Sequence, residues 1–233
     1  MGSHFKGPVQ NKAVEDGDRS WFSELPVGKG PEIVELYNDF LVASDYAAGD
    51  WVVSETDAGA TQAIAADELN GALVLTNTAG AADVLGLQST EEFFKMSAGK
   101  RAWFETKLKV SADSSLHNLT VGFMTTDTTP LATTDSVGFR KVAASSSILA
   151  LTEDNTTETT TAVGTLADAT YVTLGFYWDG INKVRFYVDR ALKATHATNI
   201  EQTNKLALTI SMTNASAAAD TITIDYIYVA MER

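Results

Sequence analysis

The residues of this chain that could do chemistry are acids on strands, one histidine near an acid, and aromatic side chains that alternation turns outward. Two carboxylates sharing a sheet face can act as acid and base. Asp220 and Asp225 are the nearest such candidates on one strand, but they stand five residues apart, which sends them to opposite faces. Glu153, Asp154 and Glu158 fall in a threonine-rich stretch that reads as a solvated loop. Hard cations such as calcium favour carboxylate oxygens, yet no EF-type loop is present. His117 can pair with Asp113, although a turn between strands accounts for both residues. There is no cysteine, and the three histidines, His4, His117 and His196, are scattered, which excludes disulfides, thiol catalysis and Cys-based zinc sites. Gly28-Lys29-Gly30 lacks the spacing and the Ser/Thr of a phosphate loop, and no Gly-x-Ser-x-Gly elbow occurs. No catalytic residue, cofactor site or metal site is therefore expected. Binding a glycan asks for less: an exposed aromatic or two with polar neighbours. Trp51, Trp103, Tyr171 and Tyr187 are candidates to project outward, with Trp103 and Tyr187 as the glycan-binding pair.

The elements that must position these residues are strands. Ala102–Val110 alternates cleanly, with Phe104, Leu108 and Val110 on one face and Glu105, Lys107 and Lys109 on the other. The stretch Tyr171–Trp178 puts Val172, Leu174, Phe176 and Trp178 together, and Asp179-Gly180 then forms a hairpin turn into Lys183–Val188. A tight turn at Asp189-Arg190 reverses the chain again. Leu206, Leu208, Ile210 and Met212 make another buried row, and the nearly continuous apolar end of Thr221–Val229 predicts a central strand. Ala65–Leu69 and Glu91–Met96 are the candidates for one or two helical turns. About a dozen short strands with polar turns predict an all-β, two-sheet antiparallel sandwich.

The first part of the chain reads differently. Residues 1–50 contain no threonine, and residues 1–37 hold three of the four prolines, Pro8, Pro26 and Pro31. This segment is expected to be an extended N-terminal arm, with residues 38–233 forming the sandwich. Its apolar islands, Phe5, Pro8, Trp21, Phe22, Leu25 and Pro26, are the candidate partner-binding residues, since a segment this poor in buried surface gains order from neighbours. The chain carries 17 Lys+Arg against 30 Asp+Glu, a net charge of −13, which argues against nucleic acid as a partner. No apolar run is long enough to span a bilayer, so no membrane partner is expected.

Four ordered segments resemble the concanavalin A-like lectin/glucanase jelly roll, the superfamily that includes laminin G-like modules. They are Asn38-Asp39-Phe40 leading to Trp51; Ala102–Val110 with Val121-Gly122-Phe123; Phe176–Gly180 with Val184–Asp189; and Ile224–Val229. The resemblance covers residues 38–231 and implies the fold. Glycosidases of that family carry Glu-x-Asp-x-x-Glu on one strand, a pattern this sequence lacks. The start, Met1 to Val9, is similar to the openings of tailed-phage virion proteins. Together these resemblances imply a capsid decoration (cement) protein that is not an enzyme. It would sit on the capsid exterior after synthesis in the host cytoplasm, bound through its arm to the major capsid protein and to copies of itself, a trimer by shell symmetry. The alternatives are a carbohydrate-binding or host-adhesion module of a virion tail or fibre, with a surface glycan as partner, and then a glycoside hydrolase.

Overall fold

A computed structural model describes residues 9–10, 26–27, 32–47, 49–56, 58–65, 68–111 and 117–233. In chain order its strands begin with β1 (Val9–Gln10), β2 (Pro26–Val27), β3 (Ile33–Asn38), β4 (Trp51–Glu55), β5 (Thr61–Ile64) and β6 (Leu73–Thr76). They continue with β7 (Val84–Ser89), β8 (Ala102–Val110), β9 (His117–Met124), β10 (Ser136–Lys141), β11 (Ser147–Asp154) and β12 (Thr157–Thr165). The last are β13 (Val172–Trp178), β14 (Val184–Val188), β15 (Ala191–His196), β16 (Ala207–Asn214) and β17 (Thr221–Glu232). One short helix, α1 (Ser44–Ala47), and a 3-10 turn at Pro130–Ala132 complete the described elements.

β1 and β2 pair with each other, and β3 to β17 form two antiparallel sheets, as the alternation predicts. Sheet I runs β15-β14-β13-β8-β17-β6-β5, with β3 also paired to β17. Sheet II runs β12-β11-β10-β9-β16-β7-β4. The long strand β17 is central, as its apolar run implies. It pairs with β8 on one side and, on the other, with β6 along its first part and β3 along its second. Residues 33–37, expected in the arm, are thus part of the sandwich, because β3 completes the hydrogen bonds of β17.

The inner faces close over a single large core. Phe94 stacks on Phe123 with centroids 4.5 Å apart, Phe123 meets Phe176 edge-on at 5.1 Å, and Phe139 meets Phe186 edge-on at 5.5 Å. Each such ring contributes about 1.5–3 kcal/mol by leaving water. The helical turn predicted at Glu91–Met96 does not form. Glu91–Met96 is irregular, because Phe94 exchanges backbone hydrogen bonds with Leu206 and drops its ring into the core. Asn70 and Gly71 both take positive φ and lead the chain into β6, while Ala66 and Asp67 of the other candidate turn lie outside the described residues.

Both predicted hairpin turns form. Gly180 has φ +76°, and Asp179 Oδ1 accepts the backbone N–H groups of Ile181, Asn182 and Lys183. Asp189 and Arg190 both have positive φ, the geometry that matches strand twist in a two-residue turn. A third hairpin falls where the sequence reads as loop. Asn155 and Thr156 take φ of 48° and 66°, so β11 folds directly onto β12, with Glu153 opposite Glu158.

Candidate functional site

The outer face of sheet II assembles from three register lines. The first is Glu158, Glu153, Ser136, Met124 and Ala207, from β12 to β16. The second is Thr160, Leu151, Gly138, Gly122, Thr209, Gln88 and Val52, from β12 to β4. The third is Leu149, Arg140, Thr120, Ser211, Gly86 and Ser54, from β11 to β4. The middle of this face is low and polar. Gly122 and Gly138 face each other, and a Cβ on Gly138 would come within 2.2 Å of the Val121 carbonyl oxygen. Only glycine lets the strands approach there. Beside them Gln88 Nε2 donates to Thr209 Oγ1 at 2.8 Å, and Gln88 Oε1 accepts from the Asp127 backbone at 3.3 Å.

The charged groups stand at one end of this face. Glu153 and Glu158 are a directly opposed cross-strand pair, which places their Cβ atoms about 4.5–5.5 Å apart. Arg140 Nη2 donates to Glu158 Oε2 at 2.6 Å. Ser136 Oγ donates to Glu153 Oε2 at 3.2 Å. Glu153 is only 9% exposed. Burial pushes its carboxyl up, helped by the charges of Glu158 and Asp135 and opposed by Ser136 and Arg140. The two acids therefore sit in different environments: one desolvated, the other held by a guanidinium. Such asymmetry separates an acid from a base. The expectation of a solvated loop at Glu153, Asp154 and Glu158 is corrected here. The turn at Asn155-Thr156 makes all three strand residues.

A further acidic group lies at the sandwich end. Asp135, Asp154 and Glu201 place one carboxylate oxygen each within 4.8 Å of the others. Burial raises Asp154, and Glu201 and Asp135 raise it further. Among the described residues these three have the spacing of ligands for a hard cation.

The other sequence candidates scatter. Asp220 accepts from Ser111 Oγ and pairs with His117 Nδ1, deep at the sandwich end. The partner of His117 is thus Asp220, while Asp113 lies outside the described residues. Asp225 sits at a bulge of β17 and pairs with Lys107 at 2.5 Å. Trp103 and Tyr187 do share a face, the outer face of sheet I, where they cluster with Tyr177, Tyr228 and Ala230. They are 0% and 8% exposed, so neither presents a free ring. Trp51 points into the core, and Tyr171 is covered by Lys107 and Lys109, whose Nζ atoms lie 4.7 and 4.5 Å from its centroid. Phe5, Pro8, Trp21, Phe22 and Leu25 lie outside the described residues. Pro26 stands in β2, opposite Gln10 of β1.

No protein-family model matches the sequence, and no curated protein matches it. Solved structures do. A protein of unknown function from Shewanella oneidensis MR-1 aligns with TM-score 0.63 and 11% identity over 96% of this chain and 97% of that one. An endo-1,3-β-glucanase from Streptomyces sioyaensis aligns with TM-score 0.61 and 15% identity over 88% and 98%. A β-glucanase from Bacillus licheniformis gives 0.60 and 16% over 84% and 97%. An endo-β-1,4-glucuronan lyase, an alginate lyase, a bacteriophage carbohydrate esterase and a carbohydrate recognition domain share the fold as well. The chain therefore has the concanavalin A-like jelly roll of glucanases and lectin domains. The expectation that it is not an enzyme is corrected by the same finding, because glucanases and polysaccharide lyases are among the structures it resembles.

Proposed function

We propose that this chain is a carbohydrate-active jelly-roll protein that takes a neutral polysaccharide at the β12 end of sheet II, where Glu158 is exposed, and hydrolyses it at Glu153 and Glu158. The observation that carries this reading is the cross-strand carboxylate pair, one member desolvated and the other bound by Arg140. The company of the fold, glucanases, lyases and a carbohydrate recognition domain, supports a carbohydrate-binding or carbohydrate-active module. In the proposed reaction Glu153 gives its proton to the leaving glycosidic oxygen while Glu158, its close cross-strand neighbour, bonds to the anomeric carbon. A water molecule then adds its hydroxyl to that carbon, freeing Glu158, and passes its proton back to Glu153. Arg140 orients Glu158.

Net charge decides between substrate classes. At −13 the protein repels a polyuronate, whereas a neutral glucan meets no such barrier. The capsid-decoration reading has no support among the comparisons, and Met1 to Pro8 lie outside the described residues. A virion tail or fibre module acting on surface glycan remains compatible with the proposed activity, a setting favoured by the phage esterase of like fold.

The test is release of reducing ends from a soluble β-glucan by the full chain, run beside an alginate control read by the ultraviolet absorbance of unsaturated ends. Reducing ends from the glucan are expected. No release from either polymer overturns the hydrolytic reading, and unsaturated ends from alginate replace it with a lyase.

A further inference from the structure

The turn that leads into β6 carries Asn70-Gly71, the one Asn-Gly step in the chain. An asparagine followed by glycine can react with its own backbone, because the next amide nitrogen reaches the side-chain carbonyl carbon. Two things that the fold controls decide whether it does: how freely the asparagine side chain turns, and how open the attacking nitrogen is.

Both are favourable at this turn. Asn70 is exposed, and its side chain makes no hydrogen bond among the described residues. Gly71 has no Cβ to screen its nitrogen. Its N–H meets the Glu68 carbonyl only at 3.4 Å, a long contact. The firm hydrogen bonding of the hairpin resumes beyond it, where the Ala65 N–H donates to the Ala72 carbonyl at 2.8 Å. The two residues have φ of 71° and 85°, a region that glycine and asparagine enter most readily.

Other steps lack one condition or the other. Asp179-Gly180 has the glycine, but Asp179 Oδ1 is held by the backbone N–H groups of Ile181, Asn182 and Lys183. Asn38, Asn118 and Asn214 donate from their side chains to the backbone carbonyls of Asp45, Thr213 and Thr78. Asn155 and Asn182 make no side-chain hydrogen bond among the described residues. Thr156 and Lys183 follow them, however, and each brings a side chain up to the attacking nitrogen.

We propose that Asn70 is a site of spontaneous deamidation and isomerisation. The Gly71 nitrogen bonds to Asn70 Cγ and gives up its proton, and the side-chain nitrogen leaves with it as ammonia, closing a five-membered imide. Water then opens the ring and restores the N–H. Opening at Cγ leaves an aspartate. Opening at the main-chain carbonyl leaves an isoaspartate, whose backbone runs through Cγ and is longer by a methylene. Gly71 leaves no room for that extra length, since even a Cβ there would come within 2.7 Å of the Asp39 and Phe40 carbonyl oxygens. The isoaspartate form therefore loosens the β5–β6 hairpin.

This inference does not rest on the hydrolytic reading. The test is incubation of the full chain at pH 8 and 37 °C, with peptide mass spectrometry of samples taken over weeks against the starting material. The Asn70 peptide is expected to gain the mass that turns an amide into an acid and to split into two products, aspartate and isoaspartate. It should do so at least about tenfold faster than the peptides of Asn155 and Asn182. Hydrogen exchange across residues 61–76 should rise in the aged chain and not in Asn70→Gly aged beside it, a variant that suits the positive φ. An Asn70 that keeps its amide, or that converts no faster than Asn155 or Asn182, overturns the site. Conversion to aspartate alone overturns the imide route, and unchanged exchange in an isoaspartate-rich sample overturns the effect on the hairpin.

Discussion

On the outer face of sheet I the centre is filled with large side chains. Trp103, Tyr177 and Tyr187 are buried there, and Glu105 lies among them at 1% exposure. Arg190 reaches Glu105 through Nη2 at 3.0 Å and Nε at 3.3 Å, and Tyr226 adds its hydroxyl at 2.5 Å. On the outer face of sheet II the centre is small and polar, and the acids stand near the β12 edge. Both faces hold a buried glutamate, but the two differ in how much of their hydrogen-bonding capacity is spent. Glu105 is fully engaged by charged and hydroxyl donors, as a structural carboxylate must be to stay buried. Glu153 has one serine donor, and burial drives it toward the protonated form. Burial alone therefore does not mark a working acid. Burial without full compensation does.

The largest expected effect falls on sheet II. Glu153→Gln should lower glucan hydrolysis about 100- to 10,000-fold, the usual worth of a general acid or base, and Glu158→Gln, which removes the nucleophile, at least as much. Arg140→Met should lower it as well, with a shifted pH profile. An unchanged rate in Glu153→Gln would erase the proposed distinction between the two faces.

The next effect falls on sheet I and is purely structural. Arg190→Ala leaves Glu105 with Tyr226 and should cost about 1.5–3 kcal/mol in urea unfolding, with no change in hydrolysis. Loss of activity without loss of stability would contradict the assignment of that face.

Glu153→Gln offers a second, opposite readout. A carboxyl raised by folding adds stability below its ordinary value of 4.5, and that contribution is lost as pH rises through the folded value. The glutamine variant should therefore melt higher than the parent at pH 7, by about 2–4 °C, and the gain should vanish near pH 4. A variant equally stable at both pH values would mean that Glu153 is not desolvated.

The smallest effect concerns His196, buried between Thr152 and Thr161 against Phe186. Burial lowers its affinity for protons. The unfolded chain then binds the extra proton first, so stability is lost as pH falls below about 6.5. In His196→Gln this part of the pH dependence should flatten in thermal melts.

Much of the fold is legible along the chain. The alternation of β8, β13 and β14 gives the faces of Phe104, Phe176 and Phe186, and Asp179-Gly180 gives their hairpin. The candidate site is far less so. Asn155-Thr156 carries no glycine, so the hairpin that aligns Glu153 with Glu158 looks like a polar loop. Arg140 lies 18 residues from Glu158, and nothing local joins them. The aromatic candidates fail for a related reason. Alternation turns Trp103 and Tyr187 outward correctly, but it carries no information about whether an outward side chain meets water.

By itself, then, the sequence determined that this chain forms strands, which side chains of each strand share a face, and that the whole bears strong negative charge. These are consequences of short-range stereochemistry and of composition. Only the tertiary structure decided that β16 lies between β9 and β7 and that Glu153 faces Glu158. Strand order and register are settled by pairing among segments far apart in the chain, where backbone hydrogen bonding and core packing must be satisfied together.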